Sequence, residues 1–127
     1  METPPILQPL TRQLERNEAA ETKGTHCVYV VRLSEEVREK KKFKGANPGS
    51  DPEKPCYYVG LTGLTPEKRF KNHKADYKAS RWVRDFGIEL IPHLYEPLGR
   101  MPYETAAQME ERLAKYLRSL GYAVWQK

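Results

Sequence analysis

The stretch Tyr57-Tyr58-Val59-Gly60-Leu61-Thr62-Gly63-Leu64-Thr65-Pro66-Glu67-Lys68-Arg69-Phe70-Lys71-Asn72-His73 decides how this chain folds. Residues 56–61, Cys-Tyr-Tyr-Val-Gly-Leu, are apolar, aromatic and β-branched, which predicts a strand. A glycine-containing turn follows. Thr65-Pro66-Glu67 then supplies three helix-start signals: a hydroxyl for the N-cap, proline at the first helical position and an acid at the positive end of the dipole. The helix is expected over 66–79. Tyr57 and Tyr58 alternate across the strand, one to each face. Arg69 and His73 lie four residues apart on one helical face, so Tyr58, Arg69 and His73 can converge where strand meets helix. A phosphate needs such a place, with a planar, bidentate arginine charge and a Tyr or His to handle protons.

Upstream, residues 26–33, His-Cys-Val-Tyr-Val-Val-Arg-Leu, predict a strand buried on at least one face. Between the two strands, residues 34–55 form a long polar interruption. It carries Arg38, Lys40, Lys41, Lys42 and Lys44, then Gly45-Ala46-Asn47-Pro48-Gly49-Ser50-Asp51-Pro52, turn formers through which no regular element is expected. Cys27 and Cys56 each precede a tyrosine, Tyr29 or Tyr58, by two residues. If the strands pair antiparallel with these tyrosines near each other, the cysteines sit at opposite ends and cannot bridge.

Downstream, Trp82 and Phe86 stand four apart in a short helix or turn over 80–86 that Gly87 ends. Residues 88–95 predict a third strand, with Pro92 arguing for an edge or a bulge. Ala106, Met109, Leu113, Tyr116, Leu117 and Leu120 recur at the spacing of one helical stripe over 105–120, and Gly121 sits where a C-terminal cap belongs. Residues 122–125 close the chain as a short extended segment. The leader, residues 1–24, has prolines at 4, 5 and 9 and a helix-favouring stretch over 11–21, with Thr11 as N-cap and little besides Leu10 and Leu14 to face a core. The expected fold is α/β (α+β): a central three-stranded, mainly antiparallel sheet flanked by helices, an N-terminal helix, and a basic insertion between the first two strands. Residues 25–127 form its body.

At 127 residues the chain holds one domain's worth of core. Its 22 Lys and Arg against 17 Asp and Glu give +5, and the leader, at −1, contributes none of that excess. Residues 66–84 alone carry a net +5, interleaved with Phe70, Tyr77 and Trp82. Charge runs are usually solvated faces. This one surrounds the convergence of Tyr58, Arg69 and His73, which favours a phosphate-tracking surface. Its candidates are Lys68, Lys71, Lys74, Lys78 and Arg81, joined by Lys40, Lys41, Lys42 and Lys44 of the insertion. No apolar run is long enough to span a membrane and residues 1–10 lack the apolar core of a signal peptide. Two cysteines make neither a disulfide scaffold nor a zinc site, so a reducing cytoplasm is the expected compartment.

Tyr58-Val59-Gly60, preceded by Cys27-Val28-Tyr29 and followed by Arg69 and His73, resembles the signature of the GIY-YIG nucleases, two short strand motifs followed by a helical Arg. The resemblance runs from about Thr25 to Trp125. It implies that Tyr29, Tyr58, Arg69, His73 and an acidic residue on a later helix form a catalytic site for metal-dependent phosphodiester hydrolysis. Glu110 fits the acidic position best, ahead of its neighbour Glu111 and of Glu104 at the helix start. In the implied mechanism Glu110 holds one Mg²⁺ or Mn²⁺ and Tyr29 activates or orients the attacking water. Arg69 neutralises the phosphate, while Tyr58 and His73 position it or relay a proton.

Three features depart from the family pattern. Tyr29 and Tyr58 are 29 positions apart where a short loop is usual, so residues 34–55 read as an insertion that can clamp substrate. Cys27 stands in a glycine position. The family's C-terminal polar residue, often Asn, has Gln126 as its nearest counterpart. The expected function is a DNA endonuclease, with RNA also open as substrate, and a homo-oligomer or protein partner is left to supply specificity. The rival is a non-catalytic nucleic-acid-binding module on the same scaffold, and a protein-interaction adaptor stands third.

Overall fold

A computed structural model describes residues 7–10 and 24–126. The sheet has four strands, not the expected three, in the order β3-β1-β2-β4. β1 (Cys27–Leu33) and β2 (Cys56–Thr62) pair antiparallel at the centre, and β3 (Gly87–Leu90) lies antiparallel on the far side of β1. The added strand is the tail: β4 (Ala123–Gln126) runs parallel to β2, making the sheet mixed. A four-residue segment at the chain end carries too little periodicity to declare a strand. Its pairing is decided by the exposed edge of β2.

Both central strands are buried along nearly their whole length, as their continuous apolar runs require of strands covered on two faces. Tyr29 stands opposite Gly60 and Val31 opposite Tyr58, so these four side-chain positions share one face. The same register puts Cys27 against Thr62 and Cys56 against Leu33, and both thiols are free. Burial, with the Glu35 carboxylate 3.2 Å away, pushes the Cys56 thiol up to about 12.

The insertion is more ordered than its composition predicts. A 3₁₀ turn (Glu35–Glu39) and a short helix α1 (Lys41–Ala46) occupy it, the helix running into the expected turn cluster as far as Ala46. Val37 and Phe43 are fully buried, and burial of two large apolar side chains outweighs the unfavourable helix propensity of Gly45. Asn47 then fixes the segment. Its Nδ2 donates to the Phe43 carbonyl at 2.9 Å, while its Oδ1 accepts from the Val124 N–H at 2.7 Å and from Arg118 Nε at 3.2 Å.

Helix α2 (Pro66–Lys74) begins as expected, with the Thr65 hydroxyl accepting from the Lys68 N–H at 3.1 Å. It ends five residues short of the expected boundary, because Asp76 and Lys78 adopt left-handed backbone, with φ of 60° and 48°, which a helix cannot continue through. Helix α3 (Arg81–Phe86) stops at Gly87, where a Cβ would lie 2.5 Å from the Val83 carbonyl oxygen. β3 is shorter than expected, since Pro92 starts a 3₁₀ turn (Pro92–Leu94) that removes the rest from the sheet. Helix α4 (Tyr103–Ser119) buries Ala106, Met109, Leu113 and Leu117 as the stripe predicts, and Gly121, at φ 99°, follows its end. The helix expected over 11–21 lies outside the described residues; Leu7 and Leu10 just before it are buried in the core.

Candidate functional site

β1 and β2 carry Tyr29 and Tyr58 side by side on one face, and α2 lays His73 across them. Tyr29 Oη lies 2.8 Å from His73 Nε2. The ring centroids of Tyr29 and Tyr58 are 6.2 Å apart, and each lies about as far from that of His73, at 6.1 and 6.0 Å. All three side chains are at most 1 % exposed. Gly60 makes room for this: a Cβ there would lie 2.6 Å from Tyr29 Oη. The glycine of the second motif thus has a steric reason, independent of its backbone angles.

The imidazole is oriented from its other side. The Ser80 backbone N–H donates to His73 Nδ1 at 3.0 Å. In the neutral ring Nδ1 is therefore the acceptor and Nε2 carries the hydrogen, which it donates to Tyr29 Oη. Tyr29 keeps its own O–H proton to donate. Burial first, and then the neighbouring Tyr58, hold the Tyr29 phenol well above its usual range, against a smaller opposing pull from the Arg69 guanidinium. Burial also raises Tyr58, as does the Glu110 carboxylate, while hydrogen bonding to Ser80 lowers it. Both tyrosines are neutral acids at neutral pH.

Arg69, on α2, and Glu110, on α4, bring charge to the group. Arg69 donates to the Lys78 carbonyl at 2.9 Å, and so pins the left-handed segment after α2 while its charge acts on both tyrosines. Glu110, on α4, is 5 % exposed, and its Oε1 accepts from Gln126 Nε2 at 3.3 Å where β4 ends. Glu104, Glu111 and Arg112 lie away from this burial; Glu104 and Glu111 are exposed. The five residues expected to act together are thus in one neighbourhood. Ser80 was not anticipated, and a single serine between two short helices offers no periodic signal. Gln126 meets the carboxylate only because β4 pairs with β2.

Among the described residues no three His, Cys, Asp or Glu side chains gather into a metal cluster. Glu110 supplies a single carboxylate, and one hard oxygen donor suits a cation that keeps most of its water and takes further ligands from phosphate. Zinc, which wants several N or S donors, does not fit this donor set.

The basic residues separate into three kinds. Lys68 and Lys71 are exposed on α2. Lys74, though exposed, is tied to neighbouring backbone, its Nζ donating to the Arg84 and Gly87 carbonyls at 3.0 Å each, and the Lys78 ammonium sits 5.6 Å over the Tyr77 ring. Lys40, Lys41, Lys42 and Arg81 line one cleft between the insertion and α3, whereas Lys44 borders a different depression beside Arg38 and Asn47. No helix among the described residues is long and apolar enough to cross a membrane. No protein-family model, curated protein or solved structure matches the chain.

Proposed function

We propose that this protein is a metal-dependent endonuclease of the GIY-YIG type that hydrolyses phosphodiester bonds in DNA. The observation that carries this reading is the buried Tyr29–His73 hydrogen bond over Gly60, with the Arg69 charge acting on both tyrosines and the Glu110 charge on Tyr58. Ionisable groups shifted by burial together with a specific charge partner are a common feature of catalytic sites.

In this reading Glu110 would hold one Mg²⁺ or Mn²⁺, and Gln126, whose Nε2 donates to its Oε1, would orient the carboxylate. When bound, the cation supplies Lewis-acid polarisation of the phosphoryl oxygen. Arg69 places bidentate positive charge where negative charge develops on the phosphate. Tyr29 orients the attacking water; its oxygen accepts from His73, so its O–H points away from the ring. Tyr58 and His73 hold the geometry, and Ser80 fixes the imidazole tautomer on which it depends.

The test is cleavage of labelled plasmid, single-stranded, flap and branched DNA with Mg²⁺ or Mn²⁺, wild type beside Glu110→Ala, Glu110→Gln and Arg69→Ala. Metal-dependent cutting is expected from the wild type, with losses of about a hundredfold or more in each variant and little change in Tm for the isosteric Glu110→Gln. Wild-type rates in Glu110→Gln and Arg69→Ala would remove these assignments. Tight binding with no cutting by the wild type would replace the enzyme with a binding module.

A further inference from the structure

Outside the catalytic group, the insertion and α3 enclose a cleft of about 280 Å³ whose floor is aromatic and whose rim is cationic. Trp82 and Phe86 form the floor, with ring centroids 6.4 Å apart, and Lys40 Nζ lies 5.8 Å over the Phe86 ring. Lys41, Lys42 and Arg81 stand on the rim, all exposed. Trp82 also packs against Phe43, with ring centroids 6.1 Å apart, and against Trp125 at 4.5 Å, and these contacts restrain its ring. One carboxylate, Asp85, also lines the cleft, but Arg84 Nε donates to it at 2.9 Å and offsets its charge.

Two chain paths tie this cleft to the catalytic group. Ser80, whose N–H holds His73, is followed directly by Arg81 and Trp82. Gln126, which holds Glu110, is preceded by Trp125, which stacks on Trp82. The cleft and the catalytic group are thus joined through residues next to one another in the chain. The volume lies just below the ~300–1,000 Å³ of small-molecule sites, too small for a duplex and suited to one planar ring. Base faces are hidden inside a duplex, and stacking on an aromatic platform requires a base outside the helix, which costs least when that base is unpaired.

We propose that this cleft binds a single unpaired nucleotide next to the cleavage point, its base on Trp82 and Phe86 and its phosphate among Lys40, Lys41, Lys42 and Arg81, so that the enzyme selects DNA with a local defect in pairing. The inference rests on the nuclease reading in taking nucleic acid as the ligand and in placing the nucleotide near a cleavage point; the binding preference itself is tested without cleavage.

The test is fluorescence anisotropy of a labelled duplex containing one unpaired nucleotide against the same duplex fully paired. It is run in EDTA with the full chain and repeated as a cleavage assay with Mg²⁺. The wild type should bind the unpaired form about tenfold more tightly, the scale of one base stacked on an aromatic ring. Trp82→Phe should keep the preference and Trp82→Leu should lose it. Because Trp82 also packs on Phe43 and Trp125, the exposed double variant Lys41→Glu/Arg81→Glu provides a second probe, expected to weaken the unpaired form more than the paired one. Equal affinity for both duplexes, with cutting intact, would overturn the inference and leave the nuclease standing. A preference without any cutting would uphold the cleft and overturn the nuclease. Binding to neither would remove both.

Discussion

Tyr29, Tyr58, Arg69 and His73 are legible in the sequence because two strand motifs and an i, i+4 helical pair are local patterns. Their protonation is not, since it depends on burial. Tyr29, Tyr57, Tyr58 and Tyr95 are all raised above the ordinary phenol range, burial being the largest cause in each. The folded state thus keeps protons that the unfolded chain releases at about pH 10. Their stabilising contribution is full below that pH and is lost as pH rises above it. Tm should hold near pH 8 to 9 and fall steeply above pH 10. Tyrosinate absorbance of the folded protein at pH 11 should fall short of that from eight tyrosines, the remainder appearing only with unfolding. Titration of all eight near pH 10 in folded protein would contradict the burial described. Ser80 shows the limit of local reading: its importance lies in a backbone N–H aimed at His73 Nδ1, and nothing about a serine's place in the chain announces where its backbone points.

At the scale of elements, the long stripe of α4, the Thr65 cap of α2 and the two central strands are written in periodicity and capping residues, and each is found in place. The insertion is different. Val37 and Phe43 are isolated apolar residues among charges, and they build a 3₁₀ turn and a helix only because the sheet and α3 offer them somewhere to be buried. Asn47 links three elements, accepting from Val124 of β4 and Arg118 of α4 and donating to Phe43 of α1. Asn47→Ala would leave the Val124 N–H and the Arg118 guanidinium short of an acceptor in a buried place. The expected loss is about 2–3 kcal/mol in urea unfolding. Asn47→Asp, which keeps the acceptor and loses only the Nδ2 donor, should lose less. A neutral Asn47→Ala would mean that the insertion is not fastened to β4 in this way.

For the whole molecule, a net charge of +5 states only that polyanions are favoured, and the fold decides which cations are available to them. Lys68 and Lys71 project from α2 into solvent, whereas Lys74 bridges α2 to α3 and β3 through two carbonyls. The dependence of log Kobs for duplex DNA on log salt should therefore lose about one unit of slope in each of Lys68→Ala and Lys71→Ala. Lys74→Ala should leave the slope nearly unchanged and lower Tm instead. Equal slope changes at all three positions would show that Lys74 is as available as the others. Taken by itself, the sequence determined the central hairpin, the capped helix after it, the amphipathic α4 and the meeting of Tyr29, Tyr58 and His73 where strand and helix join. These follow from short-range sterics and from which side chains must leave water. Only the tertiary structure decided the fourth strand, the fastening of the insertion, the meeting of Gln126 with Glu110 and the platform of Trp82 on Trp125. Each joins residues far apart in the chain, and such pairings are set by which edges and faces remain uncovered once the local elements have formed.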